Sequence, residues 1–234
     1  MKNTLYTLAL LVSFSSFGQT ADEYFNSGYD KVLLKDYYGS ISDYTKAIEL
    51  NPNYAKAYYN RGNSKDRLKD HYGAISDYNK AIELNPNYTI AYYNRGYSKE
   101  ALKDEYGAIS DYTKAIELNP NFDDAYFNRG ILKNHLKDYN GAISDQTKVI
   151  ELNPNAADAY LNRGNSKYNL KDHYGAISDY IKAIELDPNY ADAYSNRGIS
   201  KEDLGDLNGA CADWKKAAEL GNTEAARWVA NQCN

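Results

Sequence analysis

Five prolines constrain this chain more than anything else in it. Pro52, Pro86, Pro120, Pro154 and Pro188 stand 34 residues apart. Gly28, Gly62, Gly96, Gly130, Gly164 and Gly198 keep the same interval, as do Gly39, Gly73, Gly107, Gly141, Gly175 and Gly209. A fixed period of that length belongs to stacked structural repeats and excludes a single globular core.

Composition fits thin stacked layers. The chain is mildly acidic, with net charge -5, which disfavours a nucleic-acid partner because phosphates require a basic face. Tyrosine supplies 25 residues against 5 phenylalanines and 2 tryptophans. Mean hydropathy is -0.74 although 43% of residues are apolar. Buried positions must then be filled largely by small alanine and amphipathic tyrosine.

Residues 1–18 differ from the rest. Lys2 gives a short positive start, Leu5 to Val12 is mostly apolar, and Ser13 to Gly18 is small and polar with two phenylalanines. This pattern predicts a secretory signal peptide cleaved after Gly18, leaving Gln19 first. The apolar run is too short to span a bilayer. No cysteine follows it, so a lipid-anchored start is not expected.

Six units follow, at 21–54, 55–88, 89–122, 123–156, 157–190 and 191–224, with a capping helix over 225–234. In the second unit, Tyr58, Gly62 and Leu68 mark one helix. Ala74, Ile75, Tyr78, Ala81, Ile82 and Leu84 form the apolar stripe of a second. Asp70 is placed to cap that second helix, Asn85-Pro86-Asn87 to end it, and Asn87 to cap the next. A glycine inside a helix costs about 1 kcal/mol relative to alanine. Its recurrence at Gly62 and its equivalents predicts a close approach of the two helices, with Ala74 and Ala81 as the small facing surfaces. A lone hairpin cannot bury its apolar face, so neighbouring units must stack.

Tyr58, Gly62, Ala74, Tyr78, Ala81 and Pro86 resemble the pattern of the tetratricopeptide repeat family, and the resemblance extends from Ala21 to Glu224. It implies an all-α fold: a right-handed α-solenoid of six helix-turn-helix repeats plus a C-terminal capping helix. Two family positions depart. Arg61 stands where leucine is usual and Lys65 where an aromatic is usual, and both recur, as Arg95, Arg129, Arg163, Arg197 and Lys99, Lys133, Lys167, Lys201. Their aliphatic stems can cover apolar surface while the charge reaches water. The arginines are expected to pair with Asp43, Asp77, Asp111, Asp145 and Asp179 of the preceding unit. The stretch Gly209 to Val229 is also somewhat similar to a Sel1-like repeat.

At the C-terminal end Gly221-Asn222 replaces the proline turn, and Thr223 to Cys233 reads as a closing helix carrying Trp228 and Val229. Cys211 lies ten residues before Gly221 and Cys233 eleven after Asn222. On antiparallel helices both sit about 15 Å from the turn. The two cysteines are expected to form a disulfide worth about 3 kcal/mol in an oxidising compartment, the alternative being two free thiols.

No active site is read from the chain, and no cofactor or metal is expected. His71 and His173 occupy equivalent turn positions, His135 is isolated, and all three are expected at solvent. The Ser76-Asp77 type of pair recurs through the first five units without a base or an oxyanion site, so it reads as scaffold.

The resemblance further implies that the first helix of each unit lines a concave groove. That places one asparagine per unit there: Asn26, Asn60, Asn94, Asn128, Asn162 and Asn196. Each offers a donor and an acceptor. They are suited either to bonding the backbone of an extended peptide or to orienting neighbouring helices, and both readings stand at this point. Phe25, Tyr59, Tyr93 and Phe127, followed by Leu161 and Ser195, form a second row, and Tyr29, Asn63, Tyr97, Ile131, Asn165 and Ile199 a third. Aromatic residues are favoured contact anchors. A further row runs Asp22, Lys56, Ile90, Asp124, Asp158, Asp192, acidic at its far end. A carboxylate clamp is not supported, because Phe25, Tyr59 and Tyr93 stand where the groove lysine would be.

The expected function is a non-enzymatic protein- or peptide-binding adaptor in the periplasm or secreted, with a partner carrying apolar and basic side chains. The alternative is a self-assembling structural scaffold. Neither nucleic acid nor a membrane span is expected.

Overall fold

The computed structural model describes residues 19–233. The expected signal peptide at residues 1–18 lies outside the described residues. Among those described there are thirteen helices and no strand. Six antiparallel pairs succeed one another: α1 (Ala21–Leu33) with α2 (Tyr37–Leu50), α3 (Ala55–Arg67) with α4 (His71–Leu84), and α5 (Thr89–Ala101) with α6 (Glu105–Leu118). They continue as α7 (Asp123–His135) with α8 (Tyr139–Leu152), α9 (Ala157–Asn169) with α10 (His173–Leu186), and α11 (Ala191–Asp203) with α12 (Leu207–Glu219). A last helix, α13 (Thr223–Gln232), packs on α12. Each second helix also packs on the first helix of the next pair, so the chain is an α-solenoid.

Local chemistry sets the helix ends. Asp70 accepts a hydrogen bond from the Gly73 amide at 3.0 Å and caps α4, and the equivalent aspartates cap the other second helices. Asn87 does not cap α5. The capping position is Tyr88, which makes no side-chain bond, and Asn85 instead accepts from the Asn87 amide at 3.2 Å. The asparagine before the proline folds the turn, so the one after it presents a donor rather than a cap.

The mid-helix glycines have a steric cause. A Cβ on Gly62 would lie 2.8 Å from the Tyr78 ring and 3.3 Å from the Ala74 carbonyl oxygen. The close partner is thus the fully buried tyrosine of the facing helix, and Ala74 contributes backbone. Between pairs, small residues meet: Ala57, wholly buried, packs with Ala47 and Ile48.

The arginines do not pair with the preceding unit. Arg61 grips Asp77 of its own pair through Nε at 2.9 Å and Nη2 at 2.6 Å, and Lys65 Nζ joins at 2.7 Å. Arg95, Arg129, Arg163 and Arg197 hold Asp111, Asp145, Asp179 and Asp213 in the same way. The preceding aspartate is already taken. Asp43 accepts from Ser27 at 2.6 Å and pairs with Lys31 at 2.6 Å. Burial opposes its ionisation, but the Lys31 and Ser27 bonds win and hold its carboxyl below the usual value. The third arginine nitrogen does reach across: Arg61 Nη1 donates to Thr45 at 3.0 Å.

The two ends are closed by different means. Glu23 and Asp30, both exposed, occupy the positions filled by buried Ala57 and Ser64 in the second pair. These two positions are thereby polar where no further layer covers them among the described residues. At the other end, Trp228 packs 5.3 Å from Trp214, and Cys211 and Cys233 are joined by a disulfide with Cα atoms 5.5 Å apart.

Candidate protein-binding surface

The first helices form the inner side of the array. They approach one another directly, α1 to α3, α3 to α5, α7 to α9 and α9 to α11, whereas no pair of second helices packs to the same degree. The shorter path along a curved stack is its concave side.

On this side, part of the asparagine row is committed to the scaffold. Asn94 Nδ2 donates to Tyr59 Oη at 3.0 Å and to Asn63 Oδ1 at 2.9 Å, both in the preceding pair. Asn128 Nδ2 donates to Tyr93 Oη at 3.0 Å, and Asn196 Nδ2 to Asn165 Oδ1 at 2.9 Å. Asn26 is exposed, while Asn60 and Asn162 are half-buried.

The aromatic row is also partly structural. Phe25, Tyr59 and Tyr93 are half-buried and pack on Tyr54, Tyr88 and Phe122 at ring separations of 5.0, 4.9 and 4.8 Å. Phe127 is half-buried, and its carbonyl accepts from Gln146. The open side chains are those one turn further on. Tyr29 is 51% and Tyr97 54% exposed, followed by Ile131.

Sequence models described as tetratricopeptide repeat match residues 55–88, 89–122 and 157–190, and, in a second version, 111–144 and 180–212. A model described as TPR repeat matches 28–65. The chain belongs to the tetratricopeptide repeat family. Among solved structures, MamA superposes with a TM-score of 0.69 at 27% identity, over 74% of this chain and 94% of that one. YrrB, described as a TPR protein with an unusual peptide-binding site, superposes with a TM-score of 0.73 at 25% identity, over 80% and 97%. Pseudomonas aeruginosa pilF shares the fold, with a TM-score of 0.72 at 18% identity, over 90% and 97%. No curated protein sequence matches the chain.

The inner surface of this tetratricopeptide array carries carboxylates that no lysine or arginine neutralises among the described residues. Asp22 accepts from Tyr54 Oη at 2.7 Å, Asp158 from Tyr190 Oη, and Asp192 from Asn222 Nδ2 at 3.1 Å. Asp66 is held by Ser98 at 2.7 Å and His71 at 2.8 Å, and Glu100 by Tyr112 Oη at 2.9 Å. The Asp124 carboxyl is raised above its ordinary value by partial burial and by neighbouring Asp123. Tyr54 is pushed up to about 12 by burial, with the Asp22 bond adding to it.

Two histidines are not at solvent as expected. The His71 and His173 side chains are only 20% and 15% exposed. The capped turn folds the first residue of the second helix back toward the end of the first, where Asp66 meets His71 and Tyr168 packs edge-on against His173 at 5.3 Å. His135 is 75% exposed and 3.1 Å from Glu105. Among the described residues no cluster of three or more histidine, cysteine or acidic side chains is placed to hold a metal, and no helix is long and apolar enough to cross a membrane.

Proposed function

We propose that the chain is a non-enzymatic scaffold that holds an extended polypeptide segment along its first helices, and that this segment carries basic and apolar side chains. The observation that supports this most directly is the pairing of uncompensated inner-surface carboxylates with open apolar side chains. Among the described residues Asp22, Asp124, Asp158 and Asp192 have no cationic partner, and a basic ligand would supply one. Tyr29, Tyr97 and Ile131 offer apolar contact area beside them. The peptide-binding site named for YrrB supports the same use of this fold.

The Cys211–Cys233 bond supports a working place in an oxidising compartment, the periplasm or the exterior. Tyr29, Tyr97, Phe25, Tyr59, Tyr93 and Phe127, with the asparagine row, form the contact surface in this reading. Both N–H groups of Asn94 are spent between units, so it would meet the ligand through its amide oxygen, while Asn128 and Asn196 each spend one N–H and keep one.

The test is fluorescence anisotropy with two labelled peptides, one alternating lysine with leucine and tyrosine, the other with glutamate in place of lysine. The basic peptide is expected to bind, and to lose about tenfold in affinity when salt screens the charges. Equal binding of both peptides, or none of either, would end the proposal.

A further inference from the structure

The groove repeats on a longer period than its units. Two recesses open on the inner surface, one of about 850 Å³ and one of about 270 Å³. Their walls correspond. Asn63, Asp66, Arg67, Tyr78, Asn94 and Tyr97 line the first. The residues 102 positions downstream, three units on, line the second: Asn165, Tyr168, Asn169, Tyr180, Asn196 and Ile199.

The polar centre of each recess is the same construction. Tyr78 Oη donates to Asn63 Oδ1 at 2.8 Å, and Asn94 Nδ2 donates to that same oxygen at 2.9 Å. Tyr180 Oη and Asn196 Nδ2 both donate to Asn165 Oδ1 at 2.9 Å. No intervening unit can build it, because the position of Asn63 is held by Tyr97 in the third unit and Ile131 in the fourth. In each pair the bonds take up the amide oxygen of the first asparagine and an N–H of the second. The joined amides keep Asn63 Nδ2 and Asn94 Oδ1, and Asn165 Nδ2 and Asn196 Oδ1, without a hydrogen bond among the described residues. A spare donor and a spare acceptor match another amide, whose carbonyl accepts and whose N–H donates.

We infer that the groove holds two amide-reading sites three units apart, and that a single extended polypeptide segment engages both. The inference rests on the polypeptide-groove reading above. Helices in contact lie about 8–10 Å apart, so three units span about 25–30 Å. An extended chain covers that in about eight or nine residues. The anchors differ in size and charge. The first recess is the larger and carries Asp66 and Arg67, where the second carries Tyr168 and Asn169.

The test selects binders from a random library of 16-residue peptides on the full chain and on two variants. Tyr97→Ala opens a wall of the first recess, and Asn169→Trp fills the second. Tyr97 and Asn169 are both exposed, and circular dichroism melting verifies that the variants fold. Selected peptides are expected to share two anchor positions eight or nine residues apart. Each variant should weaken such a peptide at least tenfold, and a half-peptide should respond to only one variant. Peptides with a single anchor, responding to one variant alone, would overturn the doubled site and leave the groove standing. A library that yields no binder would remove both.

Discussion

Two rows of aspartate run through this molecule, and the chain treats them in opposite ways. Asp77, Asp111, Asp145, Asp179 and Asp213 are buried between the helices of a pair, and each is held by an arginine and a lysine. Asp22, Asp124, Asp158 and Asp192 lie exposed on the inner surface without a cation paired to them among the described residues. A carboxylate taken out of water needs its counter-charge inside the fold, while one left in water can keep its charge for a partner. The first row therefore reads as architecture, and the second is the surface proposed above to meet a basic segment.

The sharpest way to break this contrast is substitution in the buried row. Asp111→Ala leaves Arg95 and Lys99 without their acceptor and is expected to cost about 3 kcal/mol, read from denaturant unfolding. Asp158→Ala on the inner surface should stay within about 0.5 kcal/mol of the parent chain. If the two cost the same, the division between the rows fails. A milder change within the buried row is Arg129→Lys. It keeps the charge but loses the two-pronged grip on Asp145 and the reach to Thr113, at about 1.5 kcal/mol.

Acid should act on groove Asp124 before it acts on Asp43, the aspartate that Lys31 and Ser27 hold in the first pair. Asp124 has a raised value, so as pH falls it takes up its proton before an ordinary aspartate would. Protonation there favours the folded state slightly and removes a charge from the groove. Asp43 has a lowered value: its contribution is present above the unfolded pKa and is lost only as pH falls through the lower folded one. Basic-peptide binding is thus expected to fade while the helical signal is intact, with unfolding at lower pH. Coincident loss of binding and helicity would contradict this ordering.

The smallest expected effect concerns the inner row alone. Asp124→Asn with Asp192→Asn should leave melting unchanged and flatten the salt dependence of basic-peptide binding. A steep salt dependence retained in that double variant would place the electrostatic contact elsewhere.

Much of this was written in the residue pattern. The period gave the pairs, Asp70 and its equivalents gave the second-helix starts, and the recurrent glycine gave a close helix approach. The placement of Cys211 and Cys233 ten and eleven residues to either side of Gly221-Asn222 pointed to their meeting. The contact surface was less legible. In sequence Asn94 and Asn128 suited a ligand and a helix-orienting role equally, and the structure shows their amides bridging to Tyr59 and Tyr93 of the unit before. Replacing them with alanine would disturb the scaffold as well as any ligand. The second-order repeat at Asn63 and Asn165 was present in the row of groove positions. It gained meaning only when Tyr78 and Tyr180 were seen to converge on those side chains.

The sequence by itself determined that this is a stack of helical hairpins, because a hairpin with one apolar stripe and a 34-residue period has no other way to bury that stripe. Only the tertiary structure decided which copy of a repeated residue meets which. Asp43 and Asp77 stand in identical surroundings along the chain, so periodicity cannot say whether Arg61 turns to its own unit or the one before. The packing of α3 against α4, with Asp43 already occupied by Ser27 and Lys31, is what chose Asp77.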